Sequence, residues 1–235
     1  MVTLFQEIPY QRDTQRVVLH NISWQTYQTM LADMGDHRAA RLAYDRGVLE
    51  ITMPSDLHEF IKRLLERIVT TLTEELNLKV RSVGSVTLDR EDLEQGVEPD
   101  SGFYIQNASQ IRGRTLDLVN NPPPDLVVEV DITSSSTRRL KIYQSLGVPE
   151  VWRCTARTLE IKRLEHGGYV DCELSVAFPM VSRNDLLRFL EAGKDTDDDN
   201  TVIRSLRSWI REPPPTDWLT KVLKGSCPCC QPALK

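Results

Sequence analysis

Two carboxylates interrupt strand-like apolar runs and are the first candidates for chemistry. Asp100 follows Pro99 at the start of one run, and Glu129 lies in the middle of residues 126–132, the most apolar run of the chain. A buried charge is costly unless it is paired or bound to a metal. Carboxylate oxygens converging from adjacent strands suit a hard cation, so we expect Asp100 and Glu129 to bind Mg²⁺ or Mn²⁺. The alternative for each carboxylate is a bond to a backbone amide or an arginine.

Strand alternation and a helical wheel predict that Asp131 and Arg139 also lie near Asp100 and Glu129. Asp131 is two residues beyond Glu129, so both side chains share one face of the strand. With about 100° per residue, Arg139 falls at the centre of the apolar face of the following helix, whereas Lys141 points to solvent. An inward arginine requires an anion or a carboxylate as its partner. The sequence leaves open a bound anion and a buried ion pair with Glu129 or Asp131.

The elements that would position these residues alternate irregularly and predict one α/β domain. The apolar run around Glu129 is expected to be a central strand buried on both faces. The domain is predicted to span residues 1–211, and a loosely ordered tail with prolines and cysteines to span residues 212–235. Strands are predicted at residues 15–20, 41–44, 48–52, 79–83, 86–88, 97–105, 126–132, 150–154, 158–164 and 169–176, and helices at 24–34, from 57 to about 76, 137–146, 182–191 and 201–210. Asp56 and Glu59 fit a capping box at the start of the long helix, and residues 133–137 offer caps for the next helix.

Composition and missing motifs exclude several classes of protein. The 235 residues contain no apolar stretch of about 18 residues, which argues against a membrane span. Five cysteines and no apolar leader predict a cytoplasmic protein with reduced thiols. A net charge of −5 argues against non-specific coating of nucleic acid but allows a small basic site. Phosphate-binding glycine loops and the nucleophile elbow are absent, and Lys62 stands where a zinc-protease helix needs histidine.

Three sequence blocks carry a resemblance to a known family. The blocks are Pro99-Asp100, then Pro124-Asp125-Leu126-Val127-Val128-Glu129-Val130-Asp131-Ile132-Thr133, then Ile142-Tyr143-x-x-Leu146-Gly147-Val148-Pro149-Glu150-Val151-Trp152-Arg153. The Gly-Val-Pro-Glu-x-Trp part of the third block and the strand before it are quite specific. With these blocks the chain resembles the Uma family of restriction endonucleases, whose fold is similar to that of the PD-(D/E)xK nucleases, over about residues 23–211.

The resemblance implies a fold, a reaction and a set of site residues. It implies an α/β (α+β) restriction-endonuclease-like domain with a mixed central sheet flanked by helices. Asp100 and Glu129 would be the metal ligands, and the substrate would be a nucleic acid, DNA in preference to RNA. Asp131 stands where the motif has its strand lysine, and Arg139 replaces the helix lysine of relatives. Arginine stays protonated, so it stabilises charge but is a poor proton acceptor. His58 matches a recurrent family residue near the long helix's start; a packed histidine is the alternative.

Three functions remain open at this point. The first is a Mg²⁺-dependent endonuclease, weak because the lysine is replaced. The second is a catalytically inactive module of the same fold that binds nucleic acid or protein, and the third is a homodimer in which the fold serves self-association. Convergence of Asp100, Glu129 and Arg139 in an open cleft favours the first function, and a sealed ion pair favours the second. Further candidates are Glu98 as an extra ligand, Arg112 and Arg114 as phosphate contacts, and Cys227, Cys229 and Cys230 as half of a zinc site.

Overall fold

A computed structural model describes residues 15–35, 40–111, 116–132 and 137–212 of the chain. Arg112, Arg114, the predicted helix caps at 133–136 and the tail cysteines lie outside these ranges. Within them, the strands form two sheets. The first sheet has five antiparallel strands in the spatial order β1 (Gln15–His20), β3 (Val48–Met53), β2 (Arg41–Asp45), β6 (Gln95–Val97) and β5 (Leu88–Arg90).

The second sheet is mixed and carries most of the core. Its only parallel pair among the described strands joins β8 to β9, and the remaining neighbours are antiparallel. The spatial order is β11 (Gly168–Cys172), β10 (Leu159–Glu165), β9 (Glu150–Thr155), β8 (Leu126–Asp131), β7 (Ser101–Tyr104) and β4 (Arg81–Gly84). The last strand, β11, ends at Cys172, earlier than the predicted run to residue 176.

Five α-helices pack on these sheets within the described ranges, which confirms the predicted mixed α and β architecture. The six-stranded sheet is the mixed central sheet that we expected, and a second, antiparallel sheet lies beside it. None of the described helices has the length and apolarity needed to cross a membrane. The helices are α1 (Trp24–Met34), α2 (Asp56–Glu75), α3 (Thr137–Leu146), α4 (Arg183–Lys194) and α5 (Asp199–Arg211), and a short 3-10 helix covers Glu91–Leu93.

Strand β8 lies at the centre of the molecule, and all six of its residues are buried. One face packs Val128 and Val130 into the cluster formed with α2. The opposite face packs Val127 against Ile142 and Tyr143 of α3. This confirms the prediction of a central strand buried on both faces. Glu129 therefore points toward α3, on the same face as Val127.

The predicted strand at 97–105 is wrong in one respect, because it is broken at Pro99. Residues before the break pair in the first sheet as β6, and residues after it pair in the second sheet as β7. Proline has no N–H to donate, so it cannot continue a ladder through the interior of a sheet. The segment Glu98-Pro99-Asp100 thus connects the two sheets, and Asp100 lies at their junction.

The start of α2 also differs from the prediction by one residue. We expected Asp56 to cap the helix together with Glu59, but Ser55 has the extended backbone of an N-cap and its hydroxyl accepts the His58 N–H at 3.2 Å. Asp56 is already the first helical residue. An N-cap hydroxyl satisfies one of the free amides of the first turn. The cap therefore fixes the turn that carries His58.

Candidate active site

The register of β7 and β8 brings two of the predicted site residues to one place. Ser101 is paired with Val128, so the next position of this antiparallel ladder sets Asp100 against Glu129. Opposed side chains of an antiparallel pair lie on the same face, with Cβ atoms about 5 Å apart. Both carboxylates are about 1% exposed. The junction of the two sheets thus contains two adjacent, buried acidic groups.

Asp100 is held through one carboxylate oxygen. Its Oδ2 atom accepts the Val130 backbone N–H at 2.7 Å and lies 3.0 Å from Nε2 of His58. Burial opposes ionisation of Asp100, but the hydrogen bond and charge of His58, with the charge of Arg139, hold its pKa below the usual value. Asp100 is therefore a carboxylate at neutral pH.

Glu129 is also held through one oxygen, by two residues of α3. Its Oε1 atom lies 3.2 Å from Nη2 of Arg139 and accepts a short hydrogen bond from the Tyr143 hydroxyl. Burial raises the pKa of Glu129 to about 8, with a contribution from the charges of Asp100 and Asp131 and against the opposing charge of Arg139. At this pKa the Glu129 side chain is largely uncharged at neutral pH, and a cation bound beside it would favour the ionised carboxylate.

Arg139 enters the site from α3 as the helical wheel predicts. It is 6% exposed, whereas Lys141 is exposed to solvent, so the predicted phase of the helix is confirmed. Besides Glu129, its Nη2 atom donates to the backbone carbonyl of Glu98. Its Nε atom is buried and has no hydrogen-bond partner in the described ranges. A buried donor without an acceptor costs about 1–3 kcal/mol, which an anion bound at this point would recover.

His58 is both a packed histidine and a neighbour of the site. It is buried, and its Nδ1 atom lies 3.7 Å from Oε1 of Glu59. Burial disfavours the charged imidazole, but the carboxylates of Asp100 and Glu59 outweigh it and raise the pKa of His58 to about 9. The side chain links the first turn of α2 to Asp100.

The structure places two other candidates in different contacts. Oδ2 of Asp131 lies 2.7 Å from Nε of Arg153, and Arg153 also pairs with Glu160 at 3.2 Å. Asp131 thus continues into a row of charges across the second sheet. The carboxylate of Glu98 accepts the Leu42 backbone N–H at 2.7 Å and turns into the first sheet. Glu98 contributes its carbonyl, which binds Arg139, to the site.

Two residues at the site were missed from the sequence. Tyr143 binds Glu129, although the wheel already puts it on the same face of α3 as Arg139. Glu50 is buried in β3. Burial opposes the charge of Arg139, but Glu129, Tyr143 and Asp100, with a smaller contribution from Glu50, hold the pKa of Arg139 above its usual value. Glu50 interrupts an apolar strand just as Glu129 does, and this signal could have identified it.

A comparison with known families decides the relationship of the chain. The model of the Uma2 family, described as "Putative restriction endonuclease", matches residues 24–192, more than half of the chain. This chain belongs to the Uma2 family. The resemblance found in the sequence is thereby confirmed, and the two-sheet fold is consistent with a restriction-endonuclease-like domain. A search of curated proteins gives no match.

Restriction-endonuclease-like proteins generally use divalent metals, and the donor set here fits such an ion. Within the described residues no group of three or more metal-binding side chains is arranged as a complete cage. Mg²⁺ does not need one, because it takes one or two carboxylates and completes its octahedron with waters and substrate phosphate. Asp100 and Glu129 would supply the carboxylates that such an ion takes.

Proposed function

We propose that this Uma2 protein is a metal-dependent endonuclease that hydrolyses phosphodiester bonds of nucleic acids. Asp100 and Glu129 would hold Mg²⁺ or Mn²⁺. The observation that carries the proposal is the convergence of Asp100, Glu129 and Arg139 at the sheet junction. All three side chains are buried and Arg139 is ion-paired with Glu129, which is the arrangement that we expected of a non-catalytic module, so the nicking assay below has to separate the two functions. A phosphodiester with a bound cation matches this alternation of charges. Membership in a family of restriction endonucleases supports the same substrate class.

The residues around the carboxylates have orienting roles. When bound, the cation would lower the pKa of a water molecule and polarise the scissile phosphate. His58 and the amide of Val130 hold Asp100 in position, and Tyr143 holds Glu129. Such supporting hydrogen bonds fix the direction in which a carboxylate presents its free oxygen.

Arg139 would stabilise charge instead of accepting a proton. Its Nε donor, which has no acceptor in the described ranges, is available to a phosphate oxygen, and its charge would offset the charge of the transition state. A guanidinium is a poor proton acceptor, and His58, with its pKa raised to about 9, is already protonated at neutral pH. The proton of the attacking water would therefore pass to an oxygen of the substrate phosphate. General-base help contributes about 10² to 10⁴ to a rate, so we expect a slow enzyme.

Nicking of supercoiled plasmid in Mg²⁺ or Mn²⁺ tests the proposal, with a single-stranded RNA in parallel. We expect slow nicking by the wild type, faster nicking by Arg139→Lys and none by Glu129→Ala. Lys141→Ala is the matched control on the same helix, because Lys141 is exposed, and it should cut like the wild type. If the wild type and Arg139→Lys are both inert on DNA and RNA, the protein is a non-catalytic module and the proposal fails.

Two further properties stay predictions of this proposal. We expect DNA to be cut in preference to RNA, which the two substrates of the nicking assay compare directly. We also expect a homodimer, and sedimentation velocity of the purified protein measures its mass. Neither property is needed for the roles of Asp100 and Glu129.

A further inference from the structure

Two arginines flank one position on the face of the first sheet that is turned toward the site. Thr52 of β3 is paired with Arg16 of β1 on one side and with Arg41 of β2 on the other. The three side chains therefore form a row across neighbouring strands, which lie about 4.8 Å apart. Ala43, two residues beyond Arg41, packs on this face against the cluster that contains α3 residues. The row thus lies on the α3 side of the sheet.

Arg16 is connected to the candidate site through Glu50. Its Nη2 atom lies 2.5 Å from Oε2 of Glu50, and about 33% of its side chain is exposed. Glu50 is one of the charges that act on Arg139. Glu50 is paired across the strands with Ala43, which packs against residues of α3. Arg16 is therefore partly open to solvent and ion-paired with a residue on the α3 side of the first sheet.

Arg41 approaches the site from the other side of the row. The hydrogen bond of His58 and, more weakly, the charges of Lys62 and Arg41 hold the pKa of Glu59 below its usual value. The next residue, Leu42, donates its N–H to the Glu98 carboxylate at 2.7 Å and accepts the Glu98 N–H at 3.0 Å, so Arg41 lies beside the segment that leads into Asp100. Lys62 adds a third cation at this end, 3.6 Å from Glu59.

We infer that Arg16 and Arg41 bind backbone phosphates of the nucleic-acid strand that enters the site. This inference rests on the proposed function and adds the surface that positions its substrate. A strand reaching Asp100 and Glu129 meets two carboxylates, and cations beside them are needed to hold a polyanion there. Arginine presents a planar fork of donors that matches a phosphate.

Because the protein has a negative net charge, cations close to the site are important for binding a nucleic acid. With a net charge of −5, the whole chain repels nucleic acid at long range, so binding depends on a local group of cations. Phosphate contacts fix the register of a nucleic acid on a protein and do not depend on base sequence. Glu50 holds the guanidinium of Arg16 in a defined position beside the site.

Equilibrium binding of labelled duplex DNA, with single-stranded DNA and RNA as further probes, tests the inference in EDTA, where no cleavage occurs. The variants are Arg41→Gln and the double variant Arg16→Gln/Glu50→Gln, which removes the ion pair without leaving a buried charge. Arg204→Gln is the matched control, because Arg204 is an exposed arginine of α5 that pairs with Asp198. Thermal unfolding confirms that each variant is folded, and Arg41→Gln keeps the test valid if the double variant is not.

We expect each site variant to bind duplex DNA about tenfold more weakly than the wild type near 0.1 M salt. The slope of log K against log salt should become shallower by about 0.9 for each phosphate that the variant no longer neutralises. Arg204→Gln should bind like the wild type. Site variants that bind with wild-type affinity and slope, or a wild type that binds none of the probes, would overturn the inference.

The outcomes separate this inference from the proposed function. Nicking by the wild type together with unchanged binding by the arginine variants leaves the endonuclease intact and removes the arginine row. If binding depends on the arginines but neither the wild type nor Arg139→Lys nicks DNA, the phosphate-binding role of the arginines is supported and the catalytic role of the carboxylates is contradicted.

Discussion

Asp100 and Asp125 occupy opposite ends of the same pair of strands and have very different surroundings. Each follows a proline, each is buried, and each precedes a strand of the second sheet, β7 or β8. Asp100 lies among charges, with His58 at 3.0 Å and Arg139 and Glu129 nearby.

Asp125 accepts its hydrogen bonds from neutral donors. Its Oδ2 atom accepts the backbone amides of Ile105 at 2.7 Å and Asn107 at 2.9 Å, and its Oδ1 atom accepts Nδ2 of Asn107 at 2.5 Å. These bonds close the connection that follows β7. The comparison shows that the dipeptide Pro-Asp by itself does not distinguish a proposed metal ligand from a structural aspartate. The role that we propose for Asp100 rests on the charges that neighbouring elements bring to its carboxylate.

The two aspartates should differ most in their effect on the nicking rate. Asp100→Asn should lower the nicking rate about a thousandfold, since a bound metal is worth several kcal/mol of transition-state stabilisation. Asp125→Asn, the same chemical change at the other end of the strand pair, should keep the rate of its folded fraction. Nicking assays normalised by circular dichroism compare the two. Equal losses of rate in both variants would remove the distinction between the two aspartates.

For stability we expect the larger loss at Asp125. Asp125→Ala leaves two backbone amides without their acceptor, at about 1–3 kcal/mol for each buried group, so the free energy of unfolding should fall by about 3 kcal/mol. Urea unfolding monitored by tryptophan fluorescence measures this change. A loss below about 1 kcal/mol would show that water replaces the carboxylate and that Asp125 is not a structural cap.

Substitution of the hydrogen-bond partners should give smaller effects of the same kind. His58, the partner of Asp100, should affect the nicking rate, and Asn107, the partner of Asp125, should affect stability. His58→Ala removes the side chain that orients Asp100 and should lower the nicking rate about 10- to 100-fold, the usual range for residues that support a metal ligand. Asn107→Ala, which removes the side-chain donor of Asp125, should cost about 1 kcal/mol of stability and leave the rate unchanged. A variant of His58 that cuts at the wild-type rate would separate this histidine from the site.

Local patterns in the sequence were sufficient for the elements that carry the site. The apolar run around Glu129 identified the central strand, because burial on both faces requires continuous apolar residues. The spacing of apolar residues in α3 oriented Arg139 toward that strand, since each helical position is set by its neighbours one turn away. The interruption of one strand by Glu129 identified a candidate ligand by the cost of burying a charge.

What the sequence could not show is which strands pair over long distances. We predicted one strand through Pro99, and only the pairing of β6 and β7 in different sheets places Asp100 at their junction. The partner of Asp131 was equally hidden, because Arg153 becomes its neighbour through the parallel pairing of β8 and β9. Glu50 carried the same signal as Glu129, and its relation to Arg139 follows only from the packing of the first sheet on α3.

Isothermal titration calorimetry with Mn²⁺ is the most direct test of the central claim that Asp100 and Glu129 form a metal site. The wild type and Asp125→Asn should both bind Mn²⁺ in a saturable manner, and Asp100→Asn should show no such binding. Binding that is the same in all three proteins, or no binding by the wild type, would contradict the metal site.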